Sequence, residues 1–256
     1  MRTRPRNPRH SQSGFSLIEL LTVLVILTLV MGAVFSQMIQ VQQRYQVEQT
    51  KLDMFQESRE FMDQMSRDLH QAGYPSARIY DTTIRPTLND HRVAAGVVQF
   101  AYDDLWIEGD VDGDGQVDVV EYKLVSASGT CPCTITRRQT GKTGDGSPLS
   151  FTGSTSQTEL QNVINSGGSY TISGTGPGGV SNQTLYGALA APHIFEAYYA
   201  NGSPVSPTNI NSTPTLPADV RTIKITVNVL AAQKANDLQT GRRAPISLTG
   251  IARLSN

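Results

Sequence analysis

Five carboxylates fall within one twelve-residue stretch, Asp110-Val-Asp112-Gly-Asp114-Gly115-Gln116-Val-Asp118-Val-Val-Glu121. Like charges this close repel one another unless a cation offsets them. Asp110, Asp112 and Asp114 supply side-chain oxygens at alternate positions. Gly115 permits a sharp turn, Gln116 offers its backbone carbonyl, Asp118 reaches a cation through water, and Glu121 closes the site with both oxygens. Donor type and spacing are those of a calcium-binding loop. The expected cofactor is a structural Ca2+ that clamps a turn wherever calcium is abundant. Glu19 is the second chemical oddity. It lies in an apolar run, where an ionised carboxylate costs about 2.5 to 3.5 kcal/mol, so an acid there marks a functional position.

The flanks of the acidic stretch read as strands, whereas an EF-hand needs helices on both sides. In Val119–Val125, alternation turns Val120, Tyr122 and Leu124 to a core and Glu121 and Lys123 outward. Glu121 is therefore the weakest of the expected ligands. The competing reading is an acidic hairpin turn that stays solvated.

Other chemical signals are thin. Cys131-Pro132-Cys133 could hold a metal or form a bridge, but the expectation is a plain turn. Gly141-Lys142-Thr143 ends like a phosphate-binding loop, yet Thr136 occupies the position of its first glycine. Asn182, Asn201 and Asn211 head short glycosylation sequons in a chain rich in Ser and Thr. No Ser/His/Asp or Cys/His set is evident, so no enzyme is expected. The formal net charge of −1 becomes about −5 once Arg2, Arg4, Arg6 and Arg9 are set aside. Such an acidic body makes direct nucleic-acid binding unexpected.

The elements that position these residues begin with the N-terminus. Leu17 to Phe35 is almost wholly apolar, and the transmembrane segment is expected at about 17–37. The arginines before it should stay in the cytoplasm, which sends the body across the membrane. Gly14 stands directly before this run. No Pro occurs from Phe15 to Tyr74, and Leu52, Phe55, Met62, Met65, Leu69 and Ala72 recur at helical spacing. Gly73 and Pro75 then stop the pattern. One helix of about 85 Å follows at 1.5 Å per residue.

The stretch Gly14-Phe15-Ser16-Leu17-Ile18-Glu19-Leu20 resembles the processing motif of type IV prepilins and pseudopilins. The resemblance implies that a prepilin peptidase cuts after Gly14 and methylates the Phe15 amine. It makes Glu19 the fifth mature residue, whose carboxylate neutralises the terminal amine of a neighbouring subunit. The segment from Glu57 to Pro75 is similar to the corresponding helix end in W-type minor pilins and J-type pseudopilins, and the closing Arg253-Leu254-Ser255-Asn256 resembles the final strand of W-type minor pilins.

The implied organisation is a cleaved cytoplasmic leader (1–14), a long N-terminal helix (15–73) and an extracytoplasmic β-rich domain (74–256). The fold class is α+β, with the helix packed on an antiparallel sheet. Strands are expected at Val97–Ile107, Val119–Val125, Thr134–Gln139, His193–Ala200, Arg221–Ala231 and Ile246–Leu254. Thr140 to Asn182 reads as a long Gly/Ser/Thr-rich surface excursion with a short helix near Gln157–Ile164. Ser203 to Pro217 reads as a second loop. Expected partners are the prepilin peptidase, the inner membrane, and other pilins or pseudopilins through the N-terminal helix. The readings in competition are a minor pilin of a type IV pilus, a J-type pseudopilin of type II secretion, and a membrane-anchored calcium-dependent adhesin.

Overall fold

The computed structural model describes residues 14–76, 90–126, 131–143, 154–165, 192–209, 219–231 and 245–254. The chain divides into two compact units, Met1–Gln46 and Val47–Asn256. One helix, α1 (Leu17–Gln71), contributes to both.

In the first unit, the helix starts with local partners for its free amides. Glu19 N–H donates to the Ser16 carbonyl at 3.0 Å, and Ser16 N–H approaches the Glu19 carboxylate at 3.4 Å. This is one arm of a capping box. Thr22 and Thr28 fold their hydroxyls back onto the carbonyls of Glu19 and Val25. Each hydroxyl thus keeps a partner within the helix itself. The large apolar side chains from Phe15 to Val41 are exposed. The helix is long and apolar enough to cross a membrane.

In the second unit, α1 buries Val47, Met54, Phe61, Met65 and Leu69, with Ser58 and Asp68 between them. The expected stripe is corrected at two positions: Leu52 is 62% exposed and Phe55 43%. The 3.6-residue angle selects the face, and that face tolerates Ser58 and Asp68 because they lie on the same stripe as Phe61 and Met65. Hydrophobicity alone misassigns Leu52 and Phe55. Gly73, at φ 85°, takes the chain out of the helix. Its N–H donates to the Glu108 carbonyl at 2.8 Å, and Asp110 N–H donates to Tyr74 at 2.9 Å.

The helix packs on an antiparallel sheet. Its strands are β1 (Gly96–Phe100), β2 (Asp104–Gly109), β3 (Asp118–Val125), β4 (Cys133–Gly141), β5 (Gln157–Val163), β6 (Phe195–Tyr199), β7 (Thr208–Asn209), β8 (Val220–Leu230) and β9 (Pro245–Arg253). The order is β6-β8-β5-β4-β3-β2-β1-β7, with β9 on β8. Phe61, Met65 and Leu69 join Phe100, Leu105, Ile107, Val120, Tyr122, Ile135 and Leu160 in the core.

Several expectations are corrected. Val97–Ile107 is a hairpin of β1 and β2, turned where Ala101 N–H bonds Asp104. The segment expected as a helix near Gln157–Ile164 is β5, which joins β4 to β8 and buries Leu160 and Val163. Its polar residues sit on exposed positions and mask the two core contacts. Cys131 and Cys133 form a disulfide, not a plain turn. They pack with Ile164 and Leu230 in a small cluster of their own. The second expected loop contains β7, paired with β1. The expected leader up to residue 13, most of the remaining expected excursion, Asn182, Asn211, Ser255 and Asn256 lie outside the described residues.

Candidate functional site

Two places gather the residues singled out by their chemistry. The first is the start of α1. Gly14 and Phe15 directly precede the helix, and Phe15 is 86% exposed. Among the described residues other than its chain neighbours, none stands within 4 Å of where a Gly14 Cβ would be. Glu19 lies in the first turn, where a carboxylate is favoured by the helix N-terminal dipole. Its one described partner is the Ser16 amide. The Gly14–Phe15 peptide bond and a carboxylate thus lie within about one turn of the start of an exposed apolar helix.

The second is the β2–β3 turn. Asp110, Asp112 and Asp114 bring carboxylate oxygens within 4.8 Å of one another. The loop is shaped by its own amides. Asp110 accepts from Gly113 N–H (2.8 Å) and Gly115 N–H (3.1 Å), Asp112 from Asp114 N–H (3.1 Å), and Asp114 from Gln116 N–H (2.8 Å). Gly113 and Gly115 adopt φ 78° and 84°, a left-handed backbone that other residues resist. The Gln116 side chain also bonds the Asp114 carboxylate at 3.2 Å. Hydrogen bonding to one lone pair leaves each carboxylate oxygen another, so the group fits a hard cation.

Asp118 begins β3 next to this cluster, bonded to Gln139 at 3.0 Å. Burial, then repulsion from Asp112, Asp114 and Asp110, pushes its carboxyl up to about 6. Glu121 sits elsewhere. It is 1% exposed and ion-paired to Arg138, with Lys123 at 3.9 Å. Its strand face, expected to be solvated, is covered. Register places Glu121 between Trp106 and Arg138, and Trp106 packs under Ala95 and Val98. The alternation was legible, but the cover on the second face was not.

The structure also reveals residues that motif reading passed over. Asp68 on α1 is 2% exposed. It accepts from Tyr122 Oη at 2.6 Å, Arg137 Nε at 2.9 Å and Gln64 Nε2 at 2.8 Å. Burial and the adjacent Asp68 charge drive the Tyr122 hydroxyl well above its usual range, so it stays a donor. Lys142, in the phosphate-loop-like tripeptide, is committed to Glu108 at 2.8 Å and to the Val93 carbonyl at 2.9 Å. An aspartate interrupting the buried stripe of α1 was the one sequence signal for the Asp68 clasp.

No curated protein and no solved structure matches the chain. Residues 9–35 match a family described as the prokaryotic N-terminal methylation motif. That match covers Gly14, Phe15 and Glu19 and the apolar part of α1 as far as Phe35. With a long N-terminal helix packed on an antiparallel sheet, it supports a membrane-anchored, type IV pilin-like protein that is processed by a prepilin peptidase and assembles with other pilins.

Proposed function

We propose that this chain is a non-enzymatic minor pilin, inserted in the inner membrane with its N-terminus in the cytoplasm and drawn into a type IV pilus after cleavage between Gly14 and Phe15. The observation that carries the reading is the matched N-terminal segment, with Glu19 set in the first turn of an exposed apolar helix. In a fibre core, the Phe15 amine of one subunit and the Glu19 carboxylate of a neighbour would each be costly alone. Paired, each offsets the other's desolvation. The apolar side chains from Leu17 to Val41 would pass from lipid to a bundle of like helices without meeting water.

The same reading takes the β2–β3 turn as a structural Ca2+ site. Asp110, Asp112 and Asp114 would be direct ligands, with the Gln116 carbonyl and Asp118 at its border. Glu121 is left out, since its carboxylate is committed to Arg138. A bound divalent cation would neutralise the mutual repulsion of these acids and tie the turn beside the end of α1.

Immunoblotting of sheared surface fibres against membranes tests the assignment. The mature chain in sheared fibres, lost when the pilus motor is deleted, is the expected result. A mature chain confined to membranes, dependent on a secretion pore, would replace it with the J-type pseudopilin reading.

A further inference from the structure

Strand β9 carries a free edge. Residues 222–225 of β8 pair with β6 on one side and β9 on the other, and among the described residues no strand pairs with the far side of β9. The register fixes which main-chain groups point outward. Leu254 N–H donates to the Arg221 carbonyl at 2.9 Å. By antiparallel alternation, Ala252, Gly250, Leu248 and Ile246 then bond β8, while Ile251, Thr249 and Ser247 aim N–H and C=O away from it. The far side of β8 agrees, since Thr226 N–H bonds Ile194 and Asn228 N–H bonds Asn165 there. Among the described residues, Ser247, Thr249 and Ile251 make no hydrogen bond outside the β8 ladder.

Natural edges are blunted by lysines, bulges or internal prolines. This one has none of these. Its ladder with β8 runs in unbroken register from Pro245 to Arg253, and Pro245 is its first residue. The ladders of β1, β5 and β6 each contain a register shift. Apolar surface lies along the edge. Ile251 is 68% exposed. A cavity of about 230 Å³ between α1 and β9 has Met62, Ile225, Leu248, Thr249, Ile251 and Ala252 in its lining. Main-chain groups for pairing and pockets for alternate side chains are what strand addition requires.

The occupant is constrained by the rest of the sheet. A repeating array of this chain alone would need a second long free edge. Among the described residues, the far edge of β6 is closed by Val205 N–H to Ala197 (2.8 Å) and Tyr199 N–H to Ser203 (2.9 Å), β7 spans Thr208–Asn209, and the side of β5 away from β4 meets β8 at Val163 and the Glu57 carboxylate at Gln161. Two-fold pairing of β9 with itself would reverse α1 between the copies, which a polar array of pilin-like subunits does not allow. We propose that β9 accepts an extended strand from a neighbouring pilin-like subunit of different sequence, with apolar side chains of that strand seated in the cavity against Met62 and Leu248. This rests on the pilin-like reading.

The test places a photo-crosslinking benzoylphenylalanine at Ser247, Thr249 or Ile251 of the full chain in its own cells, with the N-terminal peptide read in the same samples. The expected partner is another protein with a prepilin-type leader, and the crosslinked residue should move by two along that partner for each step of two along β9. Thr249→Pro removes an outward N–H that β8 does not use, so crosslinking from Ile251 should fall about tenfold, while Thr249→Val leaves it unchanged. If the proline variant fails to accumulate, the stepping pattern decides alone. A mature Phe15 terminus without crosslinks, or crosslinks without stepping, overturns the edge proposal and leaves the pilin reading standing. Crosslinks to a second copy of this chain overturn the choice of occupant. An unprocessed terminus refutes the pilin reading instead.

Discussion

Replacing Arg137 by leucine should loosen the clasp that docks α1 on the sheet. Asp68 lies on α1 and is 2% exposed, and the Arg137 side chain on β4 is 14% exposed, so water screens the pair poorly. With Arg137 gone, Asp68 keeps only the neutral donors Tyr122 and Gln64. Stripping the partner from a buried charge costs about 3 to 5 kcal/mol. For a domain of this size, that corresponds to a fall in Tm of about 6 to 20 °C. Thermal unfolding of the detergent-solubilised full chain, followed by circular dichroism, measures it. The cause is separable from lost packing by adding Asp68→Asn, which removes the stranded charge. The double variant should recover at least half of the loss. A fall of under about 2 °C for Arg137→Leu, or a double variant no more stable than the single one, would refute the clasp.

Other perturbations reach the remaining parts. In chelator, Asp118 should make the fold less stable as pH rises. The unfolded carboxyl ionises near 3.8 and the folded one near 6, so stability declines through that window, by about 1 to 2 kcal/mol once solvent screening is allowed for; Asp118→Asn should flatten the urea-unfolding profile there, and an unchanged slope would count against the cause. Calcium should raise Tm in the unaltered chain, and Asp110→Asn with Asp112→Asn should abolish that rise; no rise in the unaltered chain removes the site. A Cβ on Gly109 would meet the Gln71 carbonyl oxygen at 2.5 Å, so Gly109→Ala should lower Tm by about 2 to 12 °C, and an unshifted Tm would show that the helix end yields freely. Glu19→Ala should leave cleavage at Phe15 intact yet deplete the chain from fibres, and normal incorporation would sink the charge-pairing role.

Much of this was legible because the relevant signals are local. The apolar run with Glu19 inside it depends only on neighbours along the chain, as does the stop at Gly73. The strands β3, β4 and β8 carry alternation strong enough to read, and β3 turned Val120 and Tyr122 inward as expected. What escaped is non-local. Strand β5 buries only Leu160 and Val163 among exposed polar residues, and its position between β4 and β8 is set by pairings far away in the chain. Glu121 fits the calcium spacing on paper, but a strand carries it to Arg138, where a helix would have returned it to the loop. The Cys131–Cys133 bridge and the Asp68 clasp likewise depend on which strands become neighbours, a fact that no window of sequence contains.

Processing at the N-terminus can be read from the mass of the N-terminal peptide in membranes and in sheared fibres. A methylated peptide beginning at Phe15 is expected, with the leader retained when the prepilin peptidase is deleted. An intact leader in every fraction of normal cells would contradict it and leave a plain membrane anchor in its place.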